Sequence, residues 1–369
     1  MVAARVVLHV DLDYFYAQCE EREDPSIGGK PVVVCVYSGR TADSGAVSTA
    51  NYVARQFGVK SGIPIVLAKR MLKDEDAVFL PVNRKFYEKV SNSIMNLLRG
   101  HADSFEQVSI DEAFLDVTKR INSNFEEARK LAQRIKEEIM AKEKLTCSVG
   151  IGPNKLVSKI AAGFRKPDGL TVVKPEEVEA FLAPLPVGKL YGVGKKTEKV
   201  MEKFGIKTVG DLAKYNTEKL IEIFGKTLGV YFHNAAKGID EEPVQERGRA
   251  ESLSRIKTLK EDTRDLKVIL EEVDRLCSEV HSRVVQQGLN FRSVGIMAVM
   301  TDMSVHSRTK TFENSTNELE VLRSTAKELF ERFLRQQPEL EVRRVGVKAS
   351  NFEESQKKQT RLIDFANKT

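Results

Sequence analysis

Residues 252 to 351 read as strand (252 to 260), helix (265 to 287), strand (291 to 301), strand (305 to 312), helix (316 to 336) and strand (341 to 351). Stretches such as "SRIKTLK" suit strands, whereas "LEEVDRLCSEV" carries the helical period. The resulting β-α-β-β-α-β order restricts this segment to a ferredoxin-like domain. Ahead of it, strand-like runs at 5 to 12, 31 to 37, 46 to 49, 105 to 110, 113 to 118, 146 to 151 and 170 to 173 alternate with helical patterns such as "NFEEARKLAQRIKEEIMAKEK". From about 175 to 237 the pattern changes to short amphipathic helices with glycine-containing turns. Residues 238 to 250, "GIDEEPVQERGRA", are polar, contain two glycines and a proline, and lack apolar periodicity, as expected of a linker. The fold class is α+β, in several domains.

The 369 residues are 41% hydrophobic, enough for ordinary cores. No apolar run approaches the roughly 18 residues needed to span a bilayer, and "MVAARVVLHVD" has no signal-peptide cleavage pattern. These features predict a cytoplasmic protein with no membrane partner. Cys19, Cys35, Cys147 and Cys277 lie far apart without a C-x-x-C pair, which argues against a zinc site or a disulfide framework and for small core residues. The net charge of +6 is uneven. Residues 188 to 237 hold ten Lys/Arg and five Asp/Glu, and residues 251 to 354 hold 17 basic and 18 acidic groups. In the latter the basic residues favour strands and the acidic ones a helix, so a neutral domain is expected to present one basic face.

The opening strand, "VVLHVDLDYFYAQ" (6 to 18), ends in two acids flanked by aromatics, which strand stability alone does not require. By alternation Asp11 and Asp13 share a face with Val7 and His9. A second acidic pair, Asp111 and Glu112, interrupts two runs in "FEQVSIDEAFLDV" that could pair as a tight hairpin. Adjacent strand residues face opposite ways, so these two converge on one ion only at the bend. Mg²⁺ takes octahedral oxygen ligands from a few carboxylates and substrate phosphates. Asp11, Asp111 and Glu112 would suit two such ions, roughly 3.5 to 4 Å apart, for in-line phosphoryl displacement. Solvated acids at strand tips are the plain alternative. In "STANYVARQFG", Thr49, Tyr52 and Arg55 stand at i, i+3, i+6, one face of a short helix, as donors for a triphosphate. Lys166 in "FRKPDG" adds a point charge. "GIGPNK" lacks P-loop spacing and reads as a turn.

The ordered segments "VDLDYFYAQCE", "GKPVVVCVYSGR", "SGAVSTANYVARQFGVKSGIP", "VSIDEAFLD", "SVGIGPNKLVSKIA" and "RKPDGL" resemble the signature segments of Y-family DNA polymerases, most closely the DNA polymerase IV branch and its archaeal members. The similarity covers essentially the whole chain. It implies a right-hand arrangement: palm at 1 to 19 and 82 to 173, fingers at 20 to 81, thumb at 174 to 237, linker at 238 to 250 and little finger at 251 to 354. It assigns metal binding to Asp11, Asp111, Glu112 and the Leu12 carbonyl, with two Mg²⁺ ions as cofactors, and leaves Asp13 a structural role. It gives Thr49, Tyr52, Arg55 and Lys166 to the dNTP phosphates and sets Ala46 and Ser48 over the nascent base pair, where small side chains permit misfits. Tyr16 matches the steric gate against a 2′-hydroxyl, and Tyr14 supports the sugar pocket.

For primer-template DNA, "LYGVGKKT" resembles a helix-hairpin-helix turn, with Gly192 and Gly194 admitting a phosphate to backbone N–H groups and Lys195 and Lys196 adding charge. Arg255, Lys257, Arg308, Lys310, Arg343 and Arg344 are expected to line the little-finger face. Residues 355 to 369 are too polar at their start to continue the sheet and are expected to be disordered in isolation. Gln359, Leu362 and Phe365 in this tail fall at i, i+3, i+6 and resemble a sliding-clamp-binding peptide, although Ala366 follows Phe365 where many such peptides have a second aromatic. The expectation is a monomeric, low-fidelity translesion polymerase without proofreading, since no exonuclease-sized segment is added. A metal-dependent nuclease or cyclase could use similar carboxylates but needs neither the gate tyrosine nor the extra DNA-binding domain. A non-catalytic DNA-binding scaffold would need no carboxylates.

Overall fold

Val7, Leu8 and Val10 are buried because their strand, β1 (Val7–Leu12), lies in the middle of a sheet covered on both faces. The computed structural model describes residues 5–354 except 247, 249 and 338, so Gln359, Leu362 and Phe365 lie outside the described residues. The chain divides into two units, Met1–Val36 with Ala46–Arg247, and Tyr37–Gly45 with Gly248–Thr369.

In the first unit, β1 is followed by α1 (Phe15–Glu23), β2 (Val32–Tyr37), β3 (Gly45–Ala50), α2 (Tyr52–Gln56), α3 (Ile65–Met71), β4 (Val78–Pro81) and α4 (Arg84–Gly100). Next come β5 (Ser104–Gln107), β6 (Glu112–Asp116), α5 (Phe125–Glu143), β7 (Cys147–Gly152), α6 (Lys155–Ala162) and β8 (Leu170–Val172). The unit ends with the helices α7 (Val178–Leu182), α8 (Lys195–Lys203), α9 (Val209–Lys214) and α10 (Thr217–Ala236). A five-stranded sheet runs β5-β6-β1-β7-β8, and a three-stranded one runs β3-β2-β4. Residues 78 to 81, absent from the strand-like runs of the sequence, pair in parallel with β2.

Helix α5 forms because Asn124 accepts hydrogen bonds from the amides of Glu126 and Glu127, and because Phe125, Ala128, Leu131, Ala132, Ile135 and Ile139 recur on one face. That face is buried in the same core as β1, each large side chain contributing about 1.5–3 kcal/mol. Helix α6 approaches β7 so closely that a Cβ on Gly150 would stand 2.0 Å from the Ser158 carbonyl oxygen and 2.2 Å from the Ala162 nitrogen. The glycines of "SVGIGPNK" therefore serve strand–helix contact, and Asn154 caps α6 by accepting from the Val157 amide.

The first part of the expected linker at 238 to 250 makes defined contacts with this unit as far as Glu246, which pairs with Arg99 at 3.2 Å. Asn154 donates to the Gly238 carbonyl at 2.8 Å, and the Leu156 amide donates to Asp240 at 2.9 Å. Lys155 pairs with both Glu106 and Glu242, and Val244 is buried against Val7 and Phe114. Only Val244 of the two apolar residues here is buried, and a single buried residue among charges leaves no periodicity for a pattern to show.

In the second unit, β9 (Ser252–Thr263), α11 (Leu266–Gln286), β10 (Leu289–Met300), β11 (Val305–Thr316), α12 (Leu319–Gln336) and β12 (Val342–Glu354) follow the expected order. The antiparallel sheet runs β11-β10-β12-β9, and its core joins Val294, Ile296, Val345 and Val347 to Val273, Leu276, Leu329 and Phe330 of the two helices.

The Gly150 contact generates the first prediction. Gly150→Ala forces α6 off β7 and lowers the urea-unfolding free energy by about 2 kcal/mol or more. Gly100→Ala, which meets nothing within 4 Å, stays within about 0.5 kcal/mol of wild type. Equal midpoints for the two variants would contradict this packing.

Candidate active site

Strand β1 pairs antiparallel with β6 on one side and β7 on the other, and the register sets Asp11 opposite both Glu112 and Ser148. Strand β5 stops at Gln107, and the Val108 amide returns to the Glu112 carbonyl at 3.0 Å, so Asp111 stands at the bend before β6, as the spacing requires. The Leu12 amide donates to the Asp111 carbonyl at 2.9 Å, joining the two acidic motifs through their backbones.

Among the described residues, His9, Asp11 and Glu112 each offer a donor atom within 4.8 Å of the others. Asp111 is outside that group, its carboxylate accepting from the Ser109 hydroxyl at 2.6 Å. The structure thus brings Asp11 and Glu112 together and adds His9, which the sequence reading had only placed on the Asp11 face. His9 is buried, and its Nε2 lies 3.2 Å from Glu112. Lys159 Nζ lies 2.5 Å from the same carboxylate oxygen, and Lys166 pairs with Asp11. Nothing in the sequence pattern singled out Lys159, which α6 carries to the site.

Burial pushes the Asp11 carboxyl above its ordinary 3.8, against the opposing pull of the Lys166 ammonium. The hydrogen bond from His9, with Lys159 beside it, outweighs burial at Glu112 and holds that carboxyl at about 2. Burial lowers the His9 pKa below 6.5, so His9 is neutral and donates through Nε2–H. Two carboxylates facing one point, one of them oriented by the His9 Nε2–H, beside lysines able to neutralise phosphate, fit a divalent cation.

The aromatics that follow are ordered by contact. Tyr14 caps α1 at φ +34° and meets Tyr52 edge-on at 5.3 Å, and Arg55 lies 4.8 Å over the Tyr52 ring. Tyr16 stacks on Tyr87 at 4.2 Å and 13°, so its half-buried ring is braced from below. Thr49, expected on the same helical face as Tyr52 and Arg55, instead belongs to β3, because Asn51 caps the helix and α2 begins at Tyr52. Strand alternation sets Ala46 and Ser48 on one face of β3 and Thr49 on the other.

In the turn before α8, Gly192 has φ +88°, where L residues are strained, and Gly194 is the helix N-cap, followed by exposed Lys195 and Lys196. In the second unit the six basic residues expected on one face divide. Register places Arg255, Lys257, Arg308 and Lys310 on the face of Val345, Val347, Val294 and Ile296, which the helices cover. There Arg255 meets Glu279, Lys310 meets Glu328, and Arg308 lies over the Phe333 ring. Arg343 pairs with Asp262 at 3.3 Å. Arg344 lies on the open face with Gly346 and Lys348, beside Thr258. Register divides the six, because a period of two sends every second strand residue to the opposite face.

The profile of the impB/mucB/samB family matches residues 10–163, that of the family's C-terminal domain residues 250–362, and that of the IMS family HHH motif residues 175–206. DNA polymerase IV of Nitrosopumilus maritimus (strain SCM1) is 47% identical over 353 residues, covering 95% of this chain and 97% of that protein. DNA polymerase IV of Saccharolobus solfataricus is 41% identical over 347 residues, covering 94% of this chain and 96% of that protein. Among solved structures, "Y-family DNA polymerase chimera Dbh-Dpo4(243-245)-Dbh" matches with a TM-score of 0.89 at 41% identity, over 94% of this chain and 98% of that one. "Insertion ternary complex of Dbh DNA polymerase" matches with a TM-score of 0.68 at 40% identity over the same shares. The chain therefore belongs to the impB/mucB/samB family of Y-family DNA polymerases, within the DNA polymerase IV branch.

The depressed Glu112 pKa has a defined sign. Its contribution to stability is complete above pH 4.5 and is lost as pH falls towards 2. In metal-free buffer, the stability gap between wild type and Glu112→Gln is expected to narrow by about 1.4 kcal/mol per pH unit below the unfolded value. A gap independent of pH in acid denaturation would contradict the His9 and Lys159 contacts.

Proposed function

We propose that this translesion DNA polymerase copies its template with low fidelity by two-metal nucleotidyl transfer, without a proofreading exonuclease. The observation that carries the reading is the strand register that sets Asp11 opposite Glu112, with Asp111 at the adjoining bend. The family relationship supports it, as does the name of each relative, DNA polymerase IV.

Asp11, Asp111, Glu112 and the Leu12 carbonyl would hold two Mg²⁺ ions. The chemistry such ions would supply there is polarisation of the reacting phosphate and stabilisation of the attacking and leaving oxygens of an in-line displacement. The chain's own groups bind and orient. Arg55, with its guanidinium over Tyr52, presents a planar fork to the triphosphate; Thr49 and Tyr52 add hydroxyl donors and Lys166 a point charge. The primer 3′-oxygen attacks the α-phosphorus and pyrophosphate leaves. The Tyr16 ring, braced by Tyr87, excludes a 2′-hydroxyl, and Tyr14 supports the sugar pocket. Ala46 and Ser48 contact the nascent pair loosely, which admits damaged templates.

The duplex is held by the Gly192–Gly194 turn with Lys195 and Lys196, and by little-finger residues of which Arg344 is the best placed. Gln359, Leu362 and Phe365 supply the attachment to a sliding clamp, which raises the local concentration of a monomeric cytoplasmic enzyme at the primer end. The palm, fingers, thumb and little-finger boundaries given above complete this reading.

Asp11→Ala or Glu112→Ala is expected to lower Mg²⁺-dependent primer extension by ~10²–10³-fold or more while primer-template binding by anisotropy is kept, because basic surfaces hold the duplex. Extension at the wild-type rate by either variant, or template degradation in place of extension by the wild type, would overturn the reading.

A further inference from the structure

Asp13, read from the sequence as structural, is fully buried, and no cation pairs with its carboxylate among the described residues. Its Oδ1 accepts from the Ser148 hydroxyl at 2.8 Å, and its Oδ2 from the Thr146 hydroxyl at 3.0 Å and the Asp168 amide at 2.8 Å. The Asp13 backbone is fixed as well, its amide donating to the Thr146 carbonyl at 3.2 Å and its carbonyl accepting from Gln18 at 2.7 Å. The carboxylate therefore joins the end of β1 to β7 and to the loop between α6 and β8.

That loop carries Lys166, whose ammonium meets Asp11. Asp168, two residues on, has φ +53°, in the left-handed region that is uncommon for L residues and that aspartate adopts more readily than most. The Asp13 carboxylate holds its amide. From the other side Lys136, on α5, donates to the Asp168 carbonyl at 2.6 Å, to its carboxylate at 2.7 Å and to the Cys147 carbonyl at 2.9 Å. A loop lysine has about 2 kcal/mol of rotamer entropy to lose on meeting a phosphate, and a backbone already fixed leaves less disorder to remove.

We propose that Asp13 is a positioning residue for nucleotide binding, clamping the 166–169 loop so that Lys166 is presented to the triphosphate of an incoming dNTP. The inference rests on the reading of Lys166 as a triphosphate contact. It predicts that Asp13 acts through Lys166 and not independently.

The experiment is a double-mutant cycle on dNTP affinity, from single-turnover insertion by the full-length chain on a primer-template. Asp13→Ala is expected to raise the dNTP Kd about tenfold, the size of one charge-assisted hydrogen bond. Asp13→Asn, which retains one acceptor for the Asp168 amide, recovers part of that loss. Lys166→Ala raises Kd at least as far as Asp13→Ala, and adding Asp13→Ala to Lys166→Ala changes nothing more. Additive effects would show that Asp13 acts elsewhere and overturn the proposal, as would a wild-type Kd in Asp13→Ala alongside a raised one in Lys166→Ala. An unchanged Kd in Lys166→Ala would instead remove the triphosphate role of Lys166, and this proposal with it. If Asp13→Ala does not fold, Lys136→Met approaches the same loop from α5 and is expected to give the same non-additive rise; additivity there overturns the proposal equally.

Discussion

The antiparallel pairing of β1 between β6 and β7 is the constraint on which the site depends. Its register places Asp11 across from Glu112 on one side and Ser148 on the other. A slip of one residue would send Asp11 and His9 to the opposite face and put Val10 at the site, so the register must be fixed by more than the ladder itself. The packing of α6 supplies part of that restraint. Gly150 and Gly152 let the helix lie against β7, and the same helix carries Lys159 to Glu112 and Lys155 to Glu106. Core packing and site geometry are thus one arrangement: the apolar face of α6 faces the sheet while its lysines reach the acids at the sheet's end.

Charge at the site is arranged in opposed pairs. Asp11 is destabilised as an anion by burial and relieved by Lys166, whereas Glu112 is stabilised by His9 and Lys159. The two carboxylates therefore differ in proton affinity although they face one another. A cation arriving at this point meets one carboxylate held in place by His9 and Lys159, and another whose buried charge a new positive neighbour would relieve. His9 contributes as a neutral donor whose Nε2–H orients one oxygen of Glu112, the kind of outer contact that fixes a ligand's direction.

Much of this was legible in the sequence where chemistry and period coincide. The acids closing an apolar strand and the interrupted hairpin around Asp111 stand out as local chemical patterns, and the β-α-β-β-α-β order follows from strand and helix periods. Other features escaped because local spacing does not carry them. Thr49 has helical spacing to Tyr52 but lies in a strand, because Asn51 is the better cap. The strap at 238–246 is held by one buried valine and by ion pairs to residues more than eighty positions away. The basic strand residues of the second unit suggested one charged face, yet four of the six point to the helix side, where Arg255 and Lys310 meet acids. Lys136 and Lys159 look like solvated helix lysines until the fold brings their acceptors to them.

The central claim is that Asp11 and Glu112 form one cation-binding centre. Titration of Mn²⁺, followed by its paramagnetic resonance signal, into the protein with a 3′-deoxy-terminated primer-template and dNTP tests this without turnover. The account predicts two bound ions per wild-type complex, and loss of at least one on either Asp11→Asn or Glu112→Gln. Retention of both ions with unchanged affinity in both variants would contradict it.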